Sequence, residues 1–510
     1  MFVAPYSLSA APATAAPTAP PNAGRRPLRP LLGLAGALLL AACGQGADEA
    51  GPTLRLQAVA DPVEAAAYRD LAAGFMAQRP GVKVEFIAVP RHSEQLSRLL
   101  TAHAAGNAPD LFLINHRRWG QLLSRDLIDP LGPRLAQVAE HDLADFYPLP
   151  LEAFTRAGVL QCMPQNISSL VVYWNRELFA QAGVAPPAAD WRWKEFHDAA
   201  VALTRDLDDD GRIDVWGLDV DPSIVRLAPF VWQAEGEVVD DVDNPRRFWL
   251  RGRGGAMGLL FLKGLLNDRN VIPPLAERRG IDPDARFLSG GVAMTLQSRR
   301  FTATLRARED LDWDVAPMPA YQQPASVLHS DAYCLSRGSK HPDLARDFVV
   351  YATSEAGQAR LAHSGRIVPS RRSVATSAAF LDPSQPPASA QVFLDQIPHL
   401  RRLPNTPNWY EIETRINPII EEWMFEPAAL LAGEANFGLV DGVRVATMIE
   451  RAAGQLLRDD AAEAKAEPAV AAEAKAETPT DAAAEPASDE ADADAAPGPE
   501  PEPEPEPEAN

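Results

Sequence analysis

Residues 158–217 read GVLQCMPQNISSLVVYWNRELFAQAGVAPPAADWRWKEFHDAAVALTRDLDDDGRIDVWG, and this stretch decides the fold of the 510-residue chain. A run rich in β-formers lies at 159–163 and ends at Pro164. A second run, Leu170 to Tyr173, follows a short polar break. Runs of this composition, bounded by turn-prone residues, predict two strands.

Two helices are predicted after these strands. Asn175 is a favourable helix N-cap, and Gly183 is a favourable residue to end the same helix. Pro186 and Pro187 prevent the helix from continuing. Apolar residues then recur with helical spacing over 191–204, which predicts the second helix.

The chain before this stretch alternates strands and helices. Asp61 offers an N-cap, Pro62 a first helical residue and Glu64 a capping-box partner. This alternation predicts an α/β lobe with a mostly parallel sheet, whose ligands lie beyond the carboxyl ends of the strands. Those ends fall near Asp61 and near Asn115 to Arg118. The predicted elements are strands at 54–59, 82–87 and 109–114, and helices at 62–76 and 93–105.

The pattern from Pro164 to Pro187 is P-x-x-x-S-S-L-x-V-Y-W-N-R-E-L-F-x-x-A-G-V-x-P-P. It resembles the bacterial extracellular solute-binding proteins of ABC importers, specifically the sugar-binding family that includes maltodextrin-binding and glycerol-phosphate-binding proteins. The resemblance continues at 227–239, 287–296 and 313–319, and again at 330–374. It implies an α/β, two-lobed periplasmic binding protein fold of type II. In that fold two discontinuous lobes are joined by a hinge, and the ligand cleft lies between them.

The resemblance divides the chain into lobes and flanking segments. The N-terminal lobe is predicted to comprise 53–163 and 335–380, and the C-terminal lobe 164–334 and 381–458. Residues 459–510 consist mainly of Ala, Glu, Asp and Pro, with too few apolar groups to offset the entropy of ordering, so a disordered acidic tail is expected.

The first 42 residues predict an export signal. A basic region precedes an apolar run at 31–42, which is shorter than the roughly 20 residues that span a bilayer. The run ends in Leu-Ala-Ala-Cys43-Gly, which resembles a lipobox. We therefore expect cleavage before Cys43, a lipid on its sulfur and a tether at 43–52, which would place the protein at the cell envelope. An ordinary secretory signal with a chance cysteine is the alternative.

Candidate ligand contacts come from the predicted crossing segments and from the family pattern. Trp409 and Tyr410 lie where maltodextrin-binding proteins carry a stacking tryptophan, and an aromatic face suits the apolar side of a sugar ring. Packing in the core is the alternative for both. The full candidate set is Asp61, Asn115, Arg117, Arg118, Ser168, Ser169, Arg300, Trp409 and Tyr410.

Two arginine pairs depart from the maltodextrin pattern. Arg117 stands near a position where those proteins use an acidic residue, and Arg299–Arg300 replaces a stacking tryptophan. Because guanidinium groups pair with carboxylates and phosphates, an anionic ligand such as a uronate oligosaccharide or a glycerophosphodiester is the alternative to a neutral sugar. The arginines could equally face solvent or pair with the protein's own acids.

An acidic loop provides a candidate calcium site. Asp206, Asp208, Asp210 and Asp214 alternate along it, and Gly211 permits a tight turn. The twelfth loop position is Gly217 instead of the usual bidentate glutamate, although some members of the family have a similar abbreviated calcium loop. A solvated acidic turn is the alternative, and no other cofactor is expected.

Composition and motifs argue against several other classes of function. The net charge is −21, but residues 461–510 hold fifteen acidic residues and two lysines, so the folded part is only mildly acidic and indicates no nucleic-acid partner. No metal-type Cys or His spacing and no catalytic signature is present. Cys162 and Cys334 could form a disulfide or remain buried thiols.

These features predict a monomeric, non-enzymatic receptor that delivers a small solute to ABC permease subunits. A surface interaction protein that uses the same fold and the acidic tail is a more remote alternative.

Overall fold

The computed structural model describes residues 51–138, 141–267, 271–278, 280–281, 283–425 and 437–476. The predicted signal and Cys43 lie outside these ranges, as does the part of the tail from residue 477 onward. No helix within the described ranges has both the length and the apolar character needed to cross a membrane.

Fourteen strands are present in the described residues, and most belong to two larger sheets. The strands are β1 (Thr53–Val59), β2 (Lys83–Val89), β3 (Leu111–Asn115), β4 (Ile128–Asp129), β5 (Thr155–Arg156), β6 (Val159–Leu160), β7 (Cys162–Pro164), β8 (Val171–Asn175), β9 (Trp216–Asp219), β10 (Val292–Gln297), β11 (Trp313–Ala316), β12 (Ser326–Val327), β13 (Asp331–Ser336) and β14 (Leu400–Arg401). Sheet-forming residues therefore come from segments that are far apart in sequence.

The helices of the described residues cover these sheets. They are α1 (Pro62–Gln78), α2 (His92–Ala104), α3 (Gly120–Leu123), α4 (Gly132–Leu135), α5 (Pro148–Ala153), α6 (Arg176–Ala182), α7 (Trp193–Leu203), α8 (Ile224–Gln233), α9 (Arg253–Asn267), α10 (Leu275–Arg278), α11 (Pro283–Leu288), α12 (Arg300–Arg306), α13 (Pro342–Ala352), α14 (Glu355–His363), α15 (Arg372–Ala375), α16 (Val392–Asp395), α17 (Trp409–Phe425) and α18 (Phe437–Ala476). Short 3₁₀ turns occur at Leu143–Asp145 and Ile397–His399.

The first sheet has the order β2-β1-β3-β13-β4, and β7 also pairs with β13. β1 runs parallel to both β2 and β3, as expected for alternating strands and helices. β13 is antiparallel to each of its partners, because it arrives from the other lobe along a long connection. The sheet is therefore mixed, and the prediction of a mostly parallel sheet holds only for β1, β2 and β3.

The second sheet has the order β11-β8-β10-β9. β8 is antiparallel to β10 and β11, whereas β9 and β10 are parallel. Its strands are almost entirely buried, and helices α7, α8, α9 and α17 contribute to the apolar core around them. The two sheets form the centres of the two predicted lobes.

Three segments of chain lie side by side where the polypeptide passes between the sheets. Asn166 forms an isolated β-bridge with Pro369, and Ser168 forms another with His329. The backbone N–H of Ile167 also donates to the carbonyl of Val368 at 2.9 Å. This bundle of crossings corresponds to the hinge that the family resemblance implies.

The residues that were predicted from the sequence to begin and end helices do so in the structure. Asp61 accepts from the backbone N–H of Glu64, and the Glu64 carboxylate accepts from that of Asp61, which completes a capping box. Asn175 caps α6 by accepting from the N–H of Leu178, and Gly183 ends this helix with a φ of 67°. A left-handed conformation favours glycine at that position.

Cys162 and Cys334 form a disulfide. They face each other in the register of β7 and β13, with their Cα atoms 4.4 Å apart. Of the two alternatives open from the sequence, the bonded one is present.

The last described helix, α18, runs over Phe437–Ala476 and so passes the predicted start of the disordered tail at residue 459. Ala, Glu and Lys dominate this part of the sequence, and all three are strong helix formers. The helix thus includes 459–476, and the rest of the predicted tail lies outside the described residues.

Candidate functional site

A cavity of about 350 Å³ lies between the two sheets, beside the crossing segments. Its volume falls at the lower end of the range for small-molecule sites, about 300–1,000 Å³. Most of its walls are polar. The lining residues are Val59, Asp61, His92, Leu113, Asn115, Arg117, Asn166, Ser168, Arg226, Asp284, Gln297, Ser298, Arg300, Phe301, Thr304, His329, Asp331 and Arg366.

One wall of the cavity is formed by the carboxyl ends of β1 and β3. Asp61 stands just after β1 as the cap of α1, and Asn115 is the last residue of β3. Asn115 donates to Asp331 at 3.0 Å and accepts from the backbone N–H of Arg117 at 3.2 Å. The strand ends therefore place these groups where sequence reasoning expected them.

A buried carboxylate connects this wall with the opposite one. Glu64 is 1% exposed and lies 2.6 Å from Nε of Arg300, which belongs to α12 of the second lobe. Nε of Arg366 also lies 2.6 Å from Glu64. Burial raises the pKa of Glu64, but the charges of the two guanidinium groups outweigh burial and hold that pKa below its ordinary value. Glu64 is therefore ionised at neutral pH.

The two histidines in the cavity wall are neutral at physiological pH. Burial and the charge of Arg118 together lower the pKa of His92 to about 3. Burial and the charge of Arg226 hold the pKa of His329 well below its ordinary value. His92 Nδ1 and His329 Nε2 have no hydrogen-bond partner within the described ranges, so each nitrogen is available to a ligand hydroxyl.

Residues 60–359 match the family described as bacterial extracellular solute-binding protein. The chain belongs to this family. The match covers more than half of the sequence and includes every strand of the two sheets except β1, together with the first two crossing segments, so the resemblance inferred from the sequence is confirmed.

Individual relatives are distant from this solute-binding protein. The arabinooligosaccharide-binding protein of Bacillus subtilis is 22% identical over 288 residues, which is 55% of this chain and 64% of that protein. The sn-glycerol-3-phosphate-binding periplasmic protein UgpB of Escherichia coli is 25% identical over 136 residues, 26% of this chain and 31% of UgpB. The chain thus spans less than two thirds of either relative.

A solved structure shows the same fold. The ABC substrate-binding protein Lmo0181 of Listeria monocytogenes, in complex with cycloalternan, matches with a TM-score of 0.69 and 20% identity. The match covers 79% of this chain and 99% of that chain. The two-lobed fold is therefore shown, whereas identity at this level does not carry over the ligand.

Five of the nine predicted contact residues line the cavity of the solute-binding protein, and four do not. Ser168 lines it, whereas its neighbour Ser169 is buried elsewhere, as expected for successive residues in extended chain. The residues that line it are Asp61, Asn115, Arg117, Ser168 and Arg300. Those that do not are Arg118, Ser169, Trp409 and Tyr410.

The prediction of a stacking tryptophan at position 409 is wrong. Trp409 is 0% exposed, belongs to the core of the second lobe and donates from Nε1 to Glu413 at 2.9 Å. Arg118 lies over the ring of Tyr410, with its guanidinium carbon 4.4 Å from the ring centre. Helix α17 buries its apolar face in the lobe, so Trp409 offers no face to a ligand, and Arg118 covers one face of the half-buried Tyr410.

The arginines of the 115–118 loop are paired within the protein. Arg117 forms an ion pair with Glu413, and Arg118 lies 3.8 Å from the same carboxylate. Burial and the neighbouring charge of Arg117 lower the pKa of Arg118. Both arginines therefore pair with an acidic residue of the protein itself, which is one of the alternatives considered from the sequence.

Several lining residues were missed from the sequence, chiefly His92, Arg226, His329, Asp331 and Arg366. Arg226 lies on the helix that follows β9, at the carboxyl end of a strand, so the same sheet rule would have found it. No comparable sequence signal marks Arg366, which reaches the cavity through the third crossing segment.

The acidic loop lies away from the cavity. Carboxylate oxygens of Asp206, Asp208 and Asp210 lie within 4.8 Å of one another. Asp214 accepts from the backbone N–H of Leu207 at 2.6 Å. The loop thus brings three of the four predicted ligands together, while the fourth stabilises the loop.

Proposed function

We propose that this protein captures a small carbohydrate between its lobes and delivers it to the permease of an ABC importer. The single observation that carries this proposal is the polar cavity, whose walls come from both sheets and from the crossing segments. Family membership supports it, since the family comprises solute-binding proteins. The arabinooligosaccharide and cycloalternan of the relatives support a carbohydrate ligand.

The proposed mechanism is differential binding. Asp61 and Asn115 contact the ligand from the first lobe, while Gln297 and Thr304 contact it from the second. The ligand can make the contacts to both lobes at once only when the lobes are closed. It therefore favours the closed state. Residues of the crossing segments, such as Asn166 and Ser168, contact the ligand in both states. No covalent step is involved.

The polar lining suits hydroxyl groups. Planar carboxylate, amide and guanidinium groups can each hold a sugar hydroxyl with directed hydrogen bonds. Phe301 is the sole Phe, Tyr or Trp among the described lining residues, and it is 4% exposed. Hydrogen bonds, with little ring stacking, therefore supply the affinity, which favours a ligand of one or two sugar units over a long chain.

Thermal unfolding with added carbohydrates tests the proposal. We expect at least one member of a panel of neutral mono-, di- and oligosaccharides and sugar acids to raise the unfolding midpoint, because a ligand of the native state stabilises that state. Replacing Thr304 by phenylalanine should fill the cavity and abolish the shift. Thr414→Phe, on the exposed surface of α17, should retain it. A panel without any shift would contradict the proposal.

Attachment to the membrane through a lipid on Cys43 forms part of the proposal. The apolar run and the Leu-Ala-Ala-Cys-Gly sequence support it. A tethered receptor near its permease would deliver ligand at a high effective concentration.

We further propose that the acidic loop binds Ca²⁺. Three carboxylates within 4.8 Å repel one another unless a cation lies between them. Millimolar Ca²⁺ should raise the unfolding midpoint, and a chelator should reverse the rise. Asp208→Asn should abolish the response, while Asp198→Asn, at an exposed ion pair on α7, should leave it intact. An unchanged response in Asp208→Asn would contradict the site.

A further inference from the structure

Four arginines line the cavity, and they differ in how their charges are balanced. Three of them lie within 4.0 Å of a carboxylate: Arg117 of Glu413, and Arg300 and Arg366 of Glu64. Arg366 also lies 3.7 Å from Asp331. The positive charges of these three side chains are therefore balanced inside the protein.

Arg226 is bonded differently. Its Nε donates to the carbonyl of Leu296 at 3.2 Å, and its Nη2 donates to Oε1 of Gln297 at 2.9 Å. Both acceptors are neutral. Among the described residues no carboxylate oxygen forms an ion pair with Arg226, and its Nη1 makes no hydrogen bond.

Two acidic residues near Arg226 do not neutralise it directly. Burial lowers the pKa of Arg226, while the charges of Asp221 and Asp284 raise it. A guanidinium stays protonated in proteins. Nε2 of Gln297 donates to Asp284 at 2.6 Å. Gln297 therefore stands between the carboxylate and the guanidinium, and its two hydrogen bonds fix the orientation of the Arg226 fork.

Arg226 is half-buried, and a guanidinium that is partly withdrawn from water and bonded only to neutral acceptors is poorly compensated for the water it loses. An oxyanion is the partner that compensates it best, because charge-assisted hydrogen bonds from a guanidinium to a carboxylate or phosphate are the stronger kind. Neutral His329 and the hydroxyl of Ser168 lie in the same cavity and suit hydroxyl groups.

We infer that the ligand is a small hydroxylated solute with one oxyanion group, a carboxylate or a phosphate, and that Arg226 binds this group. The inference rests on the proposed function and names the class of solute within it. The cavity volume of about 350 Å³ limits the rest of the ligand to about one or two sugar units.

Matched pairs of acid and neutral compounds test the inference in the full-length protein. The probes are D-glucuronate with D-glucose, D-galacturonate with D-galactose, and sn-glycerol 3-phosphate with glycerol. We expect an acid to raise the unfolding midpoint and its neutral counterpart to have no effect. The sugar acids and the glycerol phosphate separate a carboxylate from a phosphate as the recognised group.

Variants of Arg226 test whether this side chain binds the acidic group of the ligand. Arg226→Gln should weaken binding of the active acid at least about tenfold by calorimetry, because a hydrogen bond to a charged group is lost. Arg226→Lys should bind with intermediate affinity, since the charge remains without the fork. Arg415→Gln, at an exposed ion pair with Glu411 on α17, is the matched control and should bind like the wild type.

The outcomes separate the inference from the proposed function. A neutral sugar that binds as tightly as its acid would overturn the inference and leave the carbohydrate receptor standing. Unchanged affinity of Arg226→Gln for the acid would overturn the role of Arg226. If neither these probes nor the wider carbohydrate panel shifted the midpoint, the proposed function would fall and the inference with it.

Discussion

Replacing Glu64 by glutamine should lower the free energy of unfolding by about 3–5 kcal/mol, the usual result of removing one partner of a buried ion pair. Glu64 is 1% exposed and Arg366 is 5% exposed, so neither charge can turn to water. The variant leaves Arg366 buried, with the carboxylate of Asp331 at 3.7 Å as its remaining partner. That second partner places the expected value toward the lower end of the range.

Urea unfolding at pH 7, followed by tryptophan fluorescence, measures this loss as a lower midpoint with an unchanged denaturant slope. Glu94→Gln is the matched control, because Glu94 forms an exposed i,i+4 pair with Arg98 in α2. A surface pair of this kind contributes at most about 1 kcal/mol. Equal losses in the two variants would contradict a special role for Glu64.

The effect of Glu64 also depends on pH. Because the folded-state pKa of Glu64 lies below its ordinary value of 4.5, its contribution to stability is complete above that value. The contribution is lost as the pH falls through the folded-state pKa. The difference between wild type and Glu64→Gln should therefore be constant from pH 6 to 8 and shrink in acid. A difference that grew in acid would contradict the sign of this shift.

Much of the fold is readable from the sequence because its signals are local. Asp61 and Glu64 form the predicted capping box, and Asn175 and Gly183 bound the predicted helix α6. Each of these features depends on neighbours within a few residues. The direction of β13 was not readable, because it depends on a strand returning from the other lobe.

Residues of the site were predictable from the sequence only where they directly follow the end of a strand. Asp61 and Asn115 follow β1 and β3, so the general rule for α/β sheets places them at the cavity. Trp409 shows the limit of this reasoning, because the burial of a helix face depends on packing between distant helices. The pairing of Arg117 with Glu413 joins residues 296 positions apart, and no local pattern signals it.

Replacing both Cys162 and Cys334 by alanine should lower the free energy of unfolding by about 2–5 kcal/mol, the usual cost of losing a native disulfide. The bond closes a loop with a sequence separation of 172, and this loop contains all four strands of the second sheet. A cross-link over so long a segment strongly restricts the unfolded chain. The chain-entropy relation gives about 5 kcal/mol for this length, which sets the upper end of the range.

The wild type itself provides the control for this variant. When urea unfolding is followed with a reducing agent present throughout, the wild type should lose the disulfide in the unfolded state and approach the midpoint of the double variant. The variant should be insensitive to the reductant. A variant as stable as the oxidised wild type would contradict a stabilising role for the bond.

The position of the disulfide extends this prediction to ligand binding. Cys162 lies in β7, which leads through Pro164 to the cavity residue Asn166, and Cys334 lies in β13, which begins at the cavity residue Asp331. The bond therefore joins β7 just before its crossing segment to β13 just after its own. Without it these strands are held only by hydrogen bonds and core packing, so we expect the double variant to bind its solute more weakly even at temperatures where it remains folded. Calorimetry well below the unfolding midpoint measures this effect, and unchanged affinity would confine the role of the disulfide to stability.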